Sequence, residues 1–261
     1  MKILFIGDIV GRPGRDACKI MVPQVIEKYG IDFVIANGEN ASHGKGLLEK
    51  HYDELCECGI DFITLGNHYD NKYELRRYID QVDNLVRPLN ILHPYPGEGS
   101  KVVDVNGILI RITNILGPAF MKEEVSSPYV AYKELMDEGE PCDIHIIDFH
   151  GESTSEKQCF AYAVDGNVTA VLGTHTHVQT NDARVLSHGT AFMCDAGMCG
   201  TYDSVIGFEK NSVVNKIIFG EHHRFEIDEH GDILFCGCVL DVNEETGLCR
   251  SITPIHEVVK Q

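Results

Sequence analysis

Short runs of apolar and β-branched residues alternate along the chain with stretches whose apolar positions recur every three or four residues. The first pattern fits buried strands, the second amphipathic helices. Residues 2–6, 31–36, 60–65, 143–149 and 168–172 read as strands, and residues 15–29, 48–58 and 155–164 as the helices between them. Asn71 is placed to cap a helix running to about Val82, with Glu74 completing a capping box. Asn106-Gly107 joins strands over 101–105 and 108–113 as a type I′ hairpin. Ser127-Pro128 opens a helix that Gly139 and Pro141 stop near Glu138. Beyond residue 180 the pattern gives strands over 183–186 and 190–194, and three more between 224 and 259.

Strand–helix alternation over 261 residues, 43% of them hydrophobic, fits an α/β fold with a large core. There is no internal repeat and no linker rich in Pro, Gly or Ser, so residues 1–261 are expected to form one domain. No apolar run is long enough to span a membrane. The apolar N-terminus stops at Asp8, too soon for a signal peptide, so the expected location is cytoplasmic. Ten cysteines fit that location as thiols, and their two CxC pairs lack the spacing of a structural zinc site. The formal net charge of −18 repels a long nucleic acid over most of the surface. An anionic substrate is therefore expected to be small and held by something local, such as bound metal.

Candidate chemistry gathers at strand ends. Asp8 follows the first strand, Glu39-Asn40 the second, Asn67-His68 the third, His150 ends the strand over 143–149, and His175 and His177 follow Leu172. In open α/β sheets, sites form beyond the carboxyl ends of strands, so these residues are expected to converge. Carboxylate, amide oxygen and imidazole without thiolate suit two divalent ions, because seven such ligands are too many for one. The HxH pair faces one side only if the backbone curves there, a task expected of Gly173. Gly7 to Gly14 has the spacing GxxxGxxG and is not a dinucleotide loop, and Gly38 to Gly46 fails the P-loop count by one residue. Arg12 and Lys45 are either phosphate contacts or solvent-facing cations. His43, four residues past Glu39, either reaches substrate or is a surface histidine, and the remaining histidines are read as structural.

Gly66-Asn67-His68 and Gly173-Thr174-His175-Thr176-His177 together resemble the calcineurin-like metallophosphoesterase superfamily. Val10 stands where that superfamily has a second ligand, and Glu39 where it has an aspartate. With Asp195 to Met198 and Tyr202 to Gly207, these departures resemble its YmdB-like branch. The resemblance covers nearly the whole chain. It implies a four-layer α/β/β/α sandwich with two mixed sheets. It also implies a dinuclear site in which Glu39 bridges two divalent ions, iron or manganese first and zinc second. Asp8, Asn40 and His177 would complete one ion, and Asn67, His150 and His175 the other. Asn40 would replace the ligand missing at Val10, and His68 would be the catalytic proton donor. The superfamily's Trp after GNH is missing, which leaves open how the loop at Tyr69-Asp70-Asn71 meets substrate.

The implied function is hydrolysis of small phosphodiesters, 2′,3′-cyclic or 3′,5′-cyclic nucleotides, by a metal-bridging hydroxide. Two divalent ions less two carboxylates and one hydroxide leave about one positive charge, which favours a diester monoanion. Two alternatives stay open: a phosphomonoesterase or nucleotidase, and a metal-dependent nucleotide-binding regulatory protein with little turnover. The partners implied are the small substrate and no membrane, with room for a homo-oligomer.

Overall fold

Ile3 and Phe5 point to one side of the first strand and Leu4 and Ile6 to the other, and all four are buried. A strand covered on both faces belongs to an inner layer. The computed structural model describes residues 1–261 and shows what covers each face. In chain order the N-terminal half is β1 (Lys2–Ile6), β2 (Asp8–Ile9), α1 (Gly11–Tyr29), β3 (Phe33–Asn37), α2 (Glu49–Glu57), β4 (Phe62–Thr64), α3 (Leu75–Tyr78) and β5 (Leu85–Val86). Then come β6 (Ser100–Val105), β7 (Ile108–Leu116), α4 (Pro128–Glu138), β8 (Ile144–His150), α5 (Thr154–Ala163) and β9 (Ala170–Thr174). The chain ends with β10 (Arg184–Val185), β11 (Ala191–Met193), β12 (Met198–Thr201), α6 (Lys210–Ile217), β13 (Ile233–Asn243) and β14 (Leu248–Val259).

Two mixed sheets result. One runs β2-β12-β13-β1-β3-β4-β5, with β14 paired to β13. Its β1, β3, β4 and β5 are parallel, and β13 is antiparallel to β1. The other runs β10-β11-β9-β8-β7-β6, parallel except at its two edges. Ile3, Phe5, Ile35 and Phe62 meet Ile112, Ile146, Leu172 and Met193 between the sheets. On the outer face of the first sheet, Leu4, Ile6, Val34 and Ile63 pack on Cys18 and Val22 of α1 and Leu55 of α2. On the outer face of the second, Ile147, Phe149 and Val171 pack on Tyr132 of α4 and Phe160 of α5. This is the four-layer α/β/β/α sandwich that the resemblance implied.

The parallel runs β1-β3-β4 and β8-β9 turn their carboxyl ends to one edge, where the site lies. Backbones approach closely there. A Cβ on Gly7 would stand 2.1 Å from the Gly197 carbonyl oxygen, and one on Gly14 2.4 Å from that of Cys199. The glycines of the first loop thus seat α1 on the β12 strand rather than cradle a phosphate. The P-loop lookalike closes on itself, since the Gly44 amide donates to the Asn40 carbonyl and Ser42 to that of Gly46.

Four expectations need correction. Helix α1 begins at Gly11, four residues before the expected start. The expected helix from Asn71 to Val82 is only α3 and a 3₁₀ turn over Ile79–Gln81, with no capping box. Glu74 instead accepts a hydrogen bond from the Glu49 amide at the start of α2, 2.9 Å away. The last stretch holds two strands, not three, because residues 224–227 lay Ile227 over Gly11 and Gly44. Finally, Gly173 does not turn the HxH pair. The positive φ falls on the histidines themselves, 105° at His175 and 63° at His177. Gly173 is needed because a Cβ there would stand 1.8 Å from the Cys194 carbonyl oxygen.

Candidate metal centre and active site

The five strand ends deliver their side chains to one place. His150 Nε2 lies 3.1 Å from Glu39 Oε1, 2.9 Å from Asn67 Oδ1 and 3.2 Å from His175 Nδ1. Glu39, His150 and His175 alone form a group whose ligand atoms lie within 4.8 Å of one another. On the other side of Glu39, Asn40 Nδ2 is 3.1 Å from both Glu39 Oε1 and His177 Nε2. His177 Nε2 is 3.8 Å from Asp8 Oδ1. Two donor groups therefore share Glu39: Asn67, His150 and His175 on one side, and Asp8, Asn40 and His177 on the other.

Hydrogen bonds around this cluster fix which nitrogen carries the proton in the His150 and His177 rings. Thr174 Oγ1 gives its proton to Asp148 Oδ1 at 2.6 Å, so it accepts from His150 Nδ1 at 2.8 Å. His177 Nδ1 donates to the Ile206 carbonyl at 2.9 Å, and His175 Nε2 faces the Glu152 carboxylate at 3.3 Å. His150 and His177 are thus held by their outer nitrogens and turn the lone pairs of the inner ones toward the carboxylates, the arrangement that metal-ligating histidines adopt, while His175 turns Nδ1 toward His150. Asn40 lies with its amide nitrogen toward Glu39, and a half-turn about its last bond presents the oxygen instead.

The charges point the same way. Burial pushes the His150 and His175 rings down to about 4, so both are neutral at pH 7. Burial raises Asp8, opposed by His177 and His150. Asp8 Oδ2 accepts the His175 amide at 3.0 Å, while Oδ1 is buried without a partner. Lone pairs facing one another across an interior, with an orphaned carboxylate oxygen among them, are costly without a cation. The donor set fits hard or borderline divalent ions and offers no thiolate.

His68 differs from the other three rings. Its backbone amide donates to Glu39 Oε2 at 2.8 Å, but its ring makes no hydrogen bond to protein. Burial holds it below the usual histidine value, with Glu39 opposing and the Lys45 charge adding to the downward shift.

A second layer escaped sequence reasoning. Asp148 accepts from Thr174, from Thr64 at 2.6 Å and from Asn37 at 2.9 Å, and Asn37 Oδ1 accepts the Glu39 amide at 3.1 Å. One carboxylate from β8 therefore orients His150 through Thr174 and Glu39 through Asn37, across the gap between the sheets. Burial brings it up to about 7. Lys157 and Asp195 form a buried ion pair at 3.0 Å. Lys157 also donates to the Thr174 carbonyl at 2.8 Å, and Asp195 accepts the Thr176 amide at 3.0 Å. The pair grips the backbone on both sides of His175. The readable signal was a charged residue inside an apolar run, as at Asp148 in Ile-Ile-Asp-Phe.

Of the other candidates, Arg12 is largely exposed and pairs with Asp16 at 3.4 Å, so it is a solvent-facing arginine. His43 and Lys45 are exposed and line a cleft beside the site.

Gly66 tests how tightly the cluster is packed. A Cβ there would stand 2.4 Å from Glu39 Oε2 and 2.5 Å from His150 Cε1 and Nε2, and its three nearest atoms all belong to the site. Gly66→Ala is expected to displace both ligands, to lower turnover at least about 10²-fold and to strip bound metal. Far-ultraviolet circular dichroism should stay native. Wild-type metal content in this variant would contradict the close packing.

The chain is similar to known proteins over nearly its whole length. The chain is 44% identical over 247 residues to a Bacillus subtilis (strain 168) protein named 2′,3′-cyclic-nucleotide 2′-phosphodiesterase, a match covering 94% of this chain and 93% of that one. The crystal structure of a novel phosphatase from Mycoplasma pneumoniae superposes with a TM-score of 0.92 at 38% identity, over 100% of this chain and 94% of that one. That of a hypothetical protein from Thermus thermophilus gives 0.91 at 36%, over 99% and 100%. A family model described as YmdB-like protein matches residues 4–255, and the chain belongs to the YmdB-like family.

Proposed function

We propose that the chain is a metal-dependent phosphodiesterase of small phosphodiesters, 2′,3′-cyclic nucleotides first and 3′,5′-cyclic nucleotides second. The observation that carries this reading is the meeting of three imidazoles with two buried carboxylates, His150 and His177 being tied by their outer nitrogens so that their inner lone pairs face inward. Asp8, Asn40 and His177 would hold one divalent ion, Asn67, His150 and His175 another, with Glu39 shared between them. Oxygen and nitrogen donors favour iron or manganese, and zinc also fits. When bound, such ions supply Lewis acidity toward phosphoryl oxygens and acidify water for in-line attack.

The chain's own residues do the rest. Asp8 and Glu39 remove two charges from four, which leaves a positive centre suited to a monoanionic diester. Neutral His150 and His175 add no repulsion of their own. His68, with an untethered ring beside Glu39, holds the proton for the departing sugar oxygen. Both sheets contribute ligands, which supports treating residues 1–261 as one domain. All ten cysteines are free thiols, in keeping with a cytoplasmic protein.

The direct test is hydrolysis of 2′,3′-cyclic AMP with added Mn²⁺, Fe²⁺ or Zn²⁺, followed by chromatography of the product. Turnover well above a metal-free control is expected, with 3′-AMP formed if the 2′ bond opens. No turnover with any of the three metals would defeat the proposal.

A further inference from the structure

The chain carries −18, yet one cleft beside the site is lined by four cations and no acid. Its volume is about 590 Å³, and its lining includes Lys45, Lys72, Lys216, Arg224, Phe208 and Phe225. None of the four cations makes an ion pair. Asp203 pairs with Lys210 and Glu221 with His223, not with these cations. Lys216 instead lies over the Phe225 ring, 4.6 Å from its centre, and Phe208 packs beside that ring at 5.6 Å. Uncompensated positive charge of this density repels itself unless an anion enters.

Each wall of the cleft also carries part of the site. The loop with Lys45 begins at Asn40, whose carbonyl accepts the Gly44 amide at 3.1 Å. The loop with Lys72 begins at Asn67-His68, and the His68 carbonyl accepts the Asn71 amide at 3.1 Å. The third wall continues from Ile206, whose carbonyl orients His177, to Phe208. These walls pack on one another, since a Cβ on Gly44 would stand 2.6 Å from Ile227 Cδ1 and one on Gly46 2.6 Å from Lys72 Cγ. The cleft's walls are therefore continuous with the loops that carry Asn40, His68 and the Ile206 carbonyl.

We infer that the cleft receives a second phosphate of the substrate, so that favoured substrates are nucleoside cyclic phosphates bearing a further phosphate, up to short oligonucleotides with a cyclic 3′ end. This rests on the phosphodiesterase reading of the same centre. The two phenylalanines offer a base a flat apolar face without reading its identity. The four cations match one or two phosphates, while the acidic remainder of the surface repels a long strand. Specificity for short, multiply charged nucleotides follows from that contrast.

The test compares adenosine 2′,3′-cyclic phosphate with the same nucleotide bearing a 5′-phosphate. For the metal-loaded wild type, kcat/KM is expected to favour the 5′-phosphorylated form by about tenfold or more, the size of one added charge-assisted hydrogen bond. The preference should shrink as salt rises. In Lys216→Ala/Arg224→Ala the ratio should fall toward one; both side chains are exposed, so the fold is spared. Equal kcat/KM for the two nucleotides in the wild type, with turnover of both, would overturn the inference and leave the phosphodiesterase reading standing. If neither nucleotide turned over, that reading would fail, and the ratio of their dissociation constants by calorimetry would decide the cleft. Equal dissociation constants would overturn it too.

Discussion

His68→Ala is expected to lower kcat on 2′,3′-cyclic AMP by about 10²–10⁴-fold, the usual worth of a positioned general acid, while bound metal stays at the wild-type level. Metal is spared because His68 touches Glu39 through its backbone amide, which alanine keeps. Fold is spared because the ring is bonded to no other protein group. A substrate that needs no proton separates this role from a structural one. The p-nitrophenolate leaving group of bis-p-nitrophenyl phosphate departs as a stable anion, so its hydrolysis should suffer much less. Equal losses on both substrates would mean that His68 supports the site rather than protonates the leaving group.

The strand ends were legible because a short apolar run cut off by Asp, Glu-Asn, Asn-His or His has few other uses in an α/β chain. Hydrophobic pattern placed β1, β4, β8 and α5 to within two residues. The hairpin turn was legible from chemistry alone, since Asn106 and Gly107 both take positive φ, 56° and 88°. Convergence was expected from the rule that sites form beyond strand carboxyl ends, and two sheets from the family resemblance, but which strands lie side by side was not legible. No single run of residues carries strand order. Local signals failed where a distant partner outbid them. Glu74 left its expected cap for the start of α2. Residues 224–227 look strand-like through Phe225 and Ile227, yet those side chains cover loop glycines and the basic cleft. Helix α6 escaped because it is short and rich in β-branched residues. Its start is fixed by Glu209, whose carboxylate accepts from the Asn211 and Ser212 amides. The tautomers of His150 and His177 were beyond reach as well, because Thr174 and Ile206 set them from distant parts of the chain.

Lys157→Met is expected to destabilise the protein by about 3–5 kcal/mol, because it leaves the Asp195 carboxylate buried and uncompensated. For a chain of this size that is a fall of roughly 6–20 °C in Tm. An apolar replacement of the whole pair is not expected to restore stability, as it does for some buried ion pairs. Asp195 also accepts the Thr176 and Gly197 amides, and a hydrocarbon would leave both unsatisfied. Lys157→Met/Asp195→Asn should therefore recover only part of the loss, since a neutral amide removes the stray charge but keeps one accepting oxygen. The site is expected to suffer with the fold. His175 and His177 hold left-handed backbone that costs of order 1–3 kcal/mol at each residue, and the pair grips Thr174 and Thr176 on either side of His175. Loosening that grip should weaken metal binding measurably, which His68→Ala should not do. Urea unfolding and metal titration of the single and double variants check both statements. A wild-type unfolding midpoint for Lys157→Met would show that Asp195 is satisfied without its lysine.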